Sequence, residues 1–181
     1  MREMRDALPA KMRVLAYPLN CERVYAAQSN TGVLMTESAN KDCVKRHFEE
    51  LWNHGEVEKI DEFFSPGFTN FGVQYSEVRG GIQHIIRTWR SAFPDLLFEV
   101  ELLVEEGNTV MCEVTLSGTH LGDLPQIPPL RGPTLAPNGQ KFKVKHIHRF
   151  RLKEGKIVEH FAVRDDLGMF QQLGHLGAIG E

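Results

Sequence analysis

The chain has 181 residues, 41% of them hydrophobic, and its 21 Lys+Arg against 24 Asp+Glu leave a formal net charge of -3. That length and apolar content suit one sizeable core, and with no basic stripe to track a phosphate backbone, nucleic acid is excluded as a partner. No apolar run approaches the roughly 20 residues that cross a bilayer, so a membrane partner is not expected either.

Residues 1–38 read as an N-terminal extension, free to be flexible, ahead of a domain over 39–181. The opening MREMRDALPAKMRVLAYPLNCERVYAAQ starts basic, but Pro18, Asn20, Glu22 and Arg23 interrupt its apolar residues, so it lacks a signal-peptide core. Cys21, Cys43 and Cys112 are widely spaced with no CxxC pair, which fits a reducing, cytoplasmic location.

Asn40 is placed to cap a helix over 41–54, in which Val44, Phe48, Leu51 and Trp52 form one stripe and His54-Gly55 supplies the stop. A second amphipathic helix over 56–64 carries Val57, Ile60, Phe63 and Phe64 and ends at Ser65-Pro66; FTNFGVQY then reads as a short strand or loop. Gly80-Gly81 opens a third helix over 79–93, with Ile82, Ile85, Ile86, Trp89 and Phe93 at helical spacing and Pro94 closing it. Trp89 and Phe93 read as core, with Trp89 a second time as a wall for a ligand; Arg90 beside them reads as a surface charge.

The remainder alternates as sheet. Phe98, Val100, Leu102 and Val104 interleave with Leu97, Glu99, Glu101 and Leu103, and a turn at Glu106-Gly107-Asn108 leads into a strand from Val110 to His120. Cys112 is in phase with Val110, Val114 and Leu116, as a buried structural thiol is. The proline- and glycine-rich stretch over 121–140 is a long loop suited to a lid, and His120 stands at its mouth as a ligand contact or a solvated strand end. Helices followed by a strand meander predict an α+β fold, a curved antiparallel sheet wrapped around three N-terminal helices and enclosing a cone.

Chemistry concentrates in KFKVKHIHRFRLKEGKIVEHFAVRDDLGMFQQLG, from Lys141 to Gly174. On its first strand Phe142, Val144, His146, His148, Phe150 and Leu152 share one face, so two imidazoles stand in an apolar row. On the second, the parity of Ile157, Phe161 and Val163 carries Glu159 and Asp165 onto the same face. A bulge there would reverse the parity and exchange Asp165 for Asp166. Proton-moving groups inside a hydrophobic surface mark a functional site.

These strings, with SGTHLG before the loop and WRSAFPD at the end of the third helix, resemble SnoaL-like proteins, the polyketide-cyclase and ester-cyclase branch of the NTF2-like superfamily, over residues 40 to 174. The resemblance implies an α+β cone, a homodimer through the outer sheet face, a small hydrophobic ligand inside, and no metal or organic cofactor. It also implies a cyclase, a lyase or isomerase, in which a late aspartate, matching Asp165, is the general base for aldol-type ring closure. His148, with His146, would then stabilise the enolate as an oxyanion hole does, while Glu159, Phe161, Trp89, His120 and Phe150 would contact the ligand. Against catalysis at Asp165 stands helix capping by Asp165 or Asp166. Against the cyclase stand a non-catalytic small-molecule-binding domain and an epoxide or ester hydrolase. The His-x-His pair with Glu159 and Asp165 also admits a metal.

Overall fold

The computed structural model describes residues 38–70, 73–74, 78–125 and 134–175. The expected extension, Ser38 apart, and the middle of the proline-rich loop lie outside the described residues.

Helix α1, Ala39–Arg46, is capped by Ser38, not Asn40: the Ser38 hydroxyl accepts from the Lys41 amide at 3.2 Å. Asn40 instead donates to Glu105 Oε1 at 2.9 Å, tying the helix start to the sheet. Beyond Arg46 the backbone widens into a π-helical stretch, His47–Asn53, which keeps Phe48 and Leu51 buried on the stripe that Val44 begins. Helices of this kind are uncommon and are frequent at functional sites. Its end is held by Arg90, whose Nη1 donates to the carbonyls of Trp52 at 2.9 Å and Asn53 at 2.5 Å. Arg90 therefore satisfies helix-terminal carbonyls that have no intrahelical partner.

The second helical segment is a 3-10 turn, Val57–Lys59, and a short α2, Ile60–Phe63. Phe64 already belongs to strand β1, Phe64–Asn70, which pairs with the short β2, Val73–Gln74. After α3, Val78–Ala92, come β3 (Leu97–Glu106), β4 (Thr109–Thr119), β5 (Lys141–Lys153), β6 (Lys156–Arg164) and α4 (Asp166–Gln172). The six strands form one sheet in the order β2-β1-β6-β5-β4-β3.

Four of the five strand pairings are antiparallel, as expected, but β1 runs parallel to β6. A parallel pair needs a long connection, and here α3 and the whole meander separate the two strands in sequence. Two bulges displace residues from the faces that simple alternation assigned. At Glu101 the β3 register slips by one residue against β4, turning Leu102 and Val104 outward and Leu103 toward the core. At Val158 the same happens on β6 against β5. An extra residue on one strand of a pair reverses the parity of everything beyond it.

The core lies between the helices and one sheet face, where Phe48, Phe63, Ile86, Phe93, Leu116 and Phe150 are fully buried. Cys112 lies there too, and burial pushes its thiol up to about 12, so it is an inert packing group. The exit of α3 is tied to the end of β4: the amides of Leu121 and Gly122 both donate to the Ala92 carbonyl. Among the described residues no helix is long and apolar enough to cross a membrane.

Candidate functional site

Strand β5 shows strict alternation, with Phe142, Val144, His146, His148, Phe150 and Leu152 buried and every residue between them exposed. His146 and His148 retain only 4% and 6% of their surface. Both nitrogens of His146 and Nε2 of His148 lack any hydrogen-bond partner among the described residues. Leaving such groups buried and unsatisfied costs roughly 1–3 kcal/mol each, a cost that ordered water or the polar groups of a bound ligand would relieve. Aromatic rings frame them: Phe150 stacks on His148 at 5.9 Å between centroids and on His160 at 4.8 Å, and Phe48 meets His148 edge-on at 5.2 Å. Phe150 thus lines the imidazole row, as expected.

On β6 the expected parity holds only as far as Ile157. The bulge at Val158 pairs Arg151 with Glu159 and His148 with Ala162, so His160 and Ala162 face inward and Glu159, Phe161 and Val163 face outward. Glu159, expected as a ligand contact, lies on the outer face and is clasped by Arg149 and by Arg151, the latter at 2.9 Å. Phe161, also expected inside, is 44% exposed on the outer face. The inward residue is His160, a position that regular alternation assigned to the opposite side.

His160 completes a chain of hydrogen bonds. Its Nε2 lies 2.9 Å from His148 Nδ1, and its Nδ1 lies 2.8 Å from Asn70 Oδ1 on β1. Asn70 was not legible as a site residue, because only the parallel pairing of β1 with β6 sets it opposite His160. His47, on the π-helical stretch, is a second residue that the sequence reading passed over. It is buried, its Nδ1 lies 2.7 Å from the Val44 carbonyl, and its ring meets Phe150 at 5.0 Å. Its position next to Phe48 on a core stripe was the available signal.

Burial dominates the electrostatics. It brings His47 and His146 down to about 4 and His160 to about 3, and holds His148 well below the usual imidazole range. For His146 the carboxylate of Asp166, and more weakly that of Asp165, pulls the other way, while Arg164 lowers it further. At neutral pH these rings are uncharged, and each carries one N–H donor and one lone pair.

The aspartates divide as the bulge requires. Asp165 is exposed and caps α4, its Oδ1 accepting from the Gly168 amide at 2.8 Å. The placement of Asp165 on the inner strand face is therefore corrected. Asp166 is partly buried in the first turn of α4, with Oδ2 held by Arg164 Nη2 at 2.8 Å, and Arg164 is paired across the sheet with His146.

His120 is fully buried, not solvated, with its ring 5.4 Å from Phe93 and 5.5 Å from His175. Trp89 is partly buried and packs on Phe93 at 5.6 Å, in the core layer. The metal reading loses its carboxylates, since Glu159 faces outward and Asp165 caps a helix, and no group of three or more His, Cys, Asp or Glu among the described residues is arranged to hold an ion.

The model of the SnoaL-like polyketide cyclase family matches residues 42–173. The aklanonic acid methyl ester cyclase DnrD of Streptomyces peucetius is 31% identical over 142 residues, spanning 76% of this chain and 92% of that protein. The nogalonic acid methyl ester cyclase of Streptomyces nogalater is 27% identical over 135 residues, spanning 68% and 89%. Among solved structures, TsrD from Streptomyces laurentii superposes with a TM-score of 0.63 at 26% identity, covering 78% of this chain and 99% of its own. IdmH from Streptomyces antibioticus gives 0.61 at 23% identity, covering 75% and 98%, and speaks to the fold alone.

Proposed function

The chain belongs to the SnoaL-like polyketide cyclase family, and from that premise we propose that it closes a ring within a carbonyl-activated, hydrophobic small molecule of the polyketide ester class, without a cofactor. The observation that carries this reading is the pair of buried imidazoles with unpartnered nitrogens, His146 and His148, inside an aromatic frame. Apolar walls suit the body of such a substrate, and the bare nitrogens suit its oxygens.

The chemistry needs a base, an oxyanion partner and proximity. Asp166 removes a proton from the carbon between two carbonyls, and the C–H electrons move into an enolate. A neutral His146 N–H donates to the enolate oxygen, as a preorganised dipole that needs no charge of its own. The enolate carbon attacks a second carbonyl of the same molecule, forming the C–C bond, and the resulting alkoxide takes back the proton from Asp166. No electron leaves the substrate, so the net change is an isomerisation. Holding both reacting carbons in one site supplies much of the acceleration.

The test is incubation of the purified full chain with aklanonic acid methyl ester and nogalonic acid methyl ester, the compounds for which the relatives are named. Chromatography with mass detection should show a product of unchanged mass and altered retention. Release of methanol, with the free acid as the product, would point to ester hydrolysis, and binding without consumption to a carrier domain; either result overturns the cyclase.

The outer face of the sheet suits a second copy of the chain. Leu102, Val104, Met111, Ile147, Phe161 and Val163 are all exposed there, and the register sets Val104 opposite Met111 and Ile147 opposite Val163. Glu113 and Arg149 stand among these residues in the register, a mixed apolar and charged surface that suits an interface between copies. Light scattering at micromolar concentration should give a dimer mass that Val163→Glu lowers to the monomer; a monomeric parent removes the proposal.

A further inference from the structure

The hydrogen-bond chain that ends on His148 constrains which proton that ring carries. Asn70 Oδ1 is a carbonyl oxygen and only accepts, so the His160 nitrogen that faces it at 2.8 Å, Nδ1, must bear the hydrogen. A neutral imidazole has one N–H, so His160 Nε2 is then a bare lone pair. His148 Nδ1 lies 2.9 Å from that lone pair and must donate to it. The single N–H of His148 is thereby used, and its other nitrogen, Nε2, is left without a hydrogen. That nitrogen is buried and has no hydrogen-bond partner among the described residues.

We propose that Asn70 and His160 are positioning residues that lock His148 in its Nδ1–H form, so that Nε2 is a fixed acceptor selecting substrates with a hydroxyl at that point. The assignment deepens the cyclase reading and rests on it for the identity of the substrate, though not for the state of the ring. His148 so held cannot donate to an enolate oxygen, the role expected of it from the sequence, and this leaves that role to His146. The two rings lie 5.6 Å apart, so a donor and an acceptor stand side by side. A ligand with an enolic or phenolic hydroxyl beside a carbonyl matches both. An analogue with the hydroxyl methylated meets a lone pair with no hydrogen to offer, and leaves a buried acceptor unpaired.

The lock is favoured by its surroundings. Phe150 stacks almost parallel to His148, with 3° between the planes, which holds the ring angle that the chain needs. The groups that bear on the charge of His148 are His160 and Arg164 on β6, His146 on β5 and His47 on the π-helical stretch; all of them oppose a second proton there.

Long-range proton–nitrogen NMR on the 15N-labelled full chain at pH 7 reads the tautomer of each histidine directly. His148 and His160 should both be Nδ1–H, and Asn70→Asp, which keeps an acceptor oxygen, should preserve that pattern. Asn70→Ala should shift His148 toward the Nε2–H form. With phenol and anisole as small probes titrated into the parent protein, phenol should bind about threefold to tenfold more tightly, as one net hydrogen bond allows. That preference should vanish in Asn70→Ala. A parent His148 in the Nε2–H form, or equal affinity for the two probes, overturns the inference. These readouts do not depend on turnover. A chain that shows the lock but closes no ring sinks the cyclase alone, and one that closes a ring with His148 as Nε2–H sinks the lock alone.

Discussion

Asp166→Asn should slow ring closure by about 10²–10⁴, the range of a single positioned acid or base, while Asp165→Ala should leave turnover within about tenfold and lower the melting temperature. The two residues are adjacent, yet the bulge at Val158 and the start of α4 give them different surroundings. Asp165 spends its carboxylate on the Gly168 amide at the helix start and is otherwise exposed. Losing an Asp cap costs about 1 kcal/mol, or about 2–4 °C in a chain of this size. Asp166 is partly buried and oriented by Arg164, and of the two carboxylates it acts more strongly on His146. The amide in Asp166→Asn fills the same space but accepts no proton, so kcat should fall with little change in ligand affinity. Single-turnover rates and melting curves of both variants decide the matter. If Asp165→Ala abolishes turnover and Asp166→Asn does not, the base is the exposed carboxylate and the partly buried one is an ion-pair partner.

The same bulge shows where the sequence was readable and where it was not. On β5 the alternation from Phe142 to Leu152 is unbroken, so the inward histidines could be named from spacing alone. On β6 the residues Ile157, Phe161 and Val163 look like one apolar face, but a face is defined by pairing, and the extra residue at Val158 is visible only against Arg151 and Leu152. An exposed Phe161 and Val163 on the outer face produce the same string as a buried pair on the inner one. Glu101 hides a like slip on β3, where Leu102 and Val104 continue an apolar alternation while facing outward.

The helices were legible for a related reason: Val44, Phe48 and Leu51 fix a stripe whatever the details of the backbone, and all three are buried. The π-helical widening after Arg46 leaves no comparable trace, because it changes which carbonyl each amide finds more than which residues are apolar. Arg90, read as a surface charge, could not be linked to Trp52 and Asn53 without the packing of α3 on that stretch. Asn70 was further from view still. Its role arises from a parallel pairing between strands separated in sequence by most of the domain.

Mild acid should unfold this protein well above the range where carboxylates titrate. His47 and His146 are brought from the ordinary imidazole value of 6.5 to about 4 on folding, His160 to about 3, and His148 well below 6.5. In the unfolded chain each would take up a proton near pH 6.5, and in the folded chain none does until far lower. The unfolded state therefore binds more protons throughout this window, and stability falls as pH falls. The stabilisation is fully present above 6.5 and is lost progressively toward the folded values near 4. Each unit of separation is worth about 1.4 kcal/mol, so at pH 5 His47, His146 and His160 have each forfeited about 2 kcal/mol, and His148 adds to the loss in the same direction. Losses of this size are a large fraction of the roughly 5–15 kcal/mol that holds a domain folded. Glu50, Glu101 and Glu105 are held below their ordinary range by Lys59, Lys145 and Ser38, so their stabilisation is lost only below about 4.5 and leaves the upper window to the histidines. Melting temperatures between pH 7.5 and 4.5 should fall steeply below 6.5. His47→Gln, which keeps a donor for the Val44 carbonyl but cannot titrate, should flatten the slope by about one proton. A melting temperature constant from pH 6.5 to 5 would mean that the inner face admits water and protons, and that the imidazole row is not the dry surface its burial indicates.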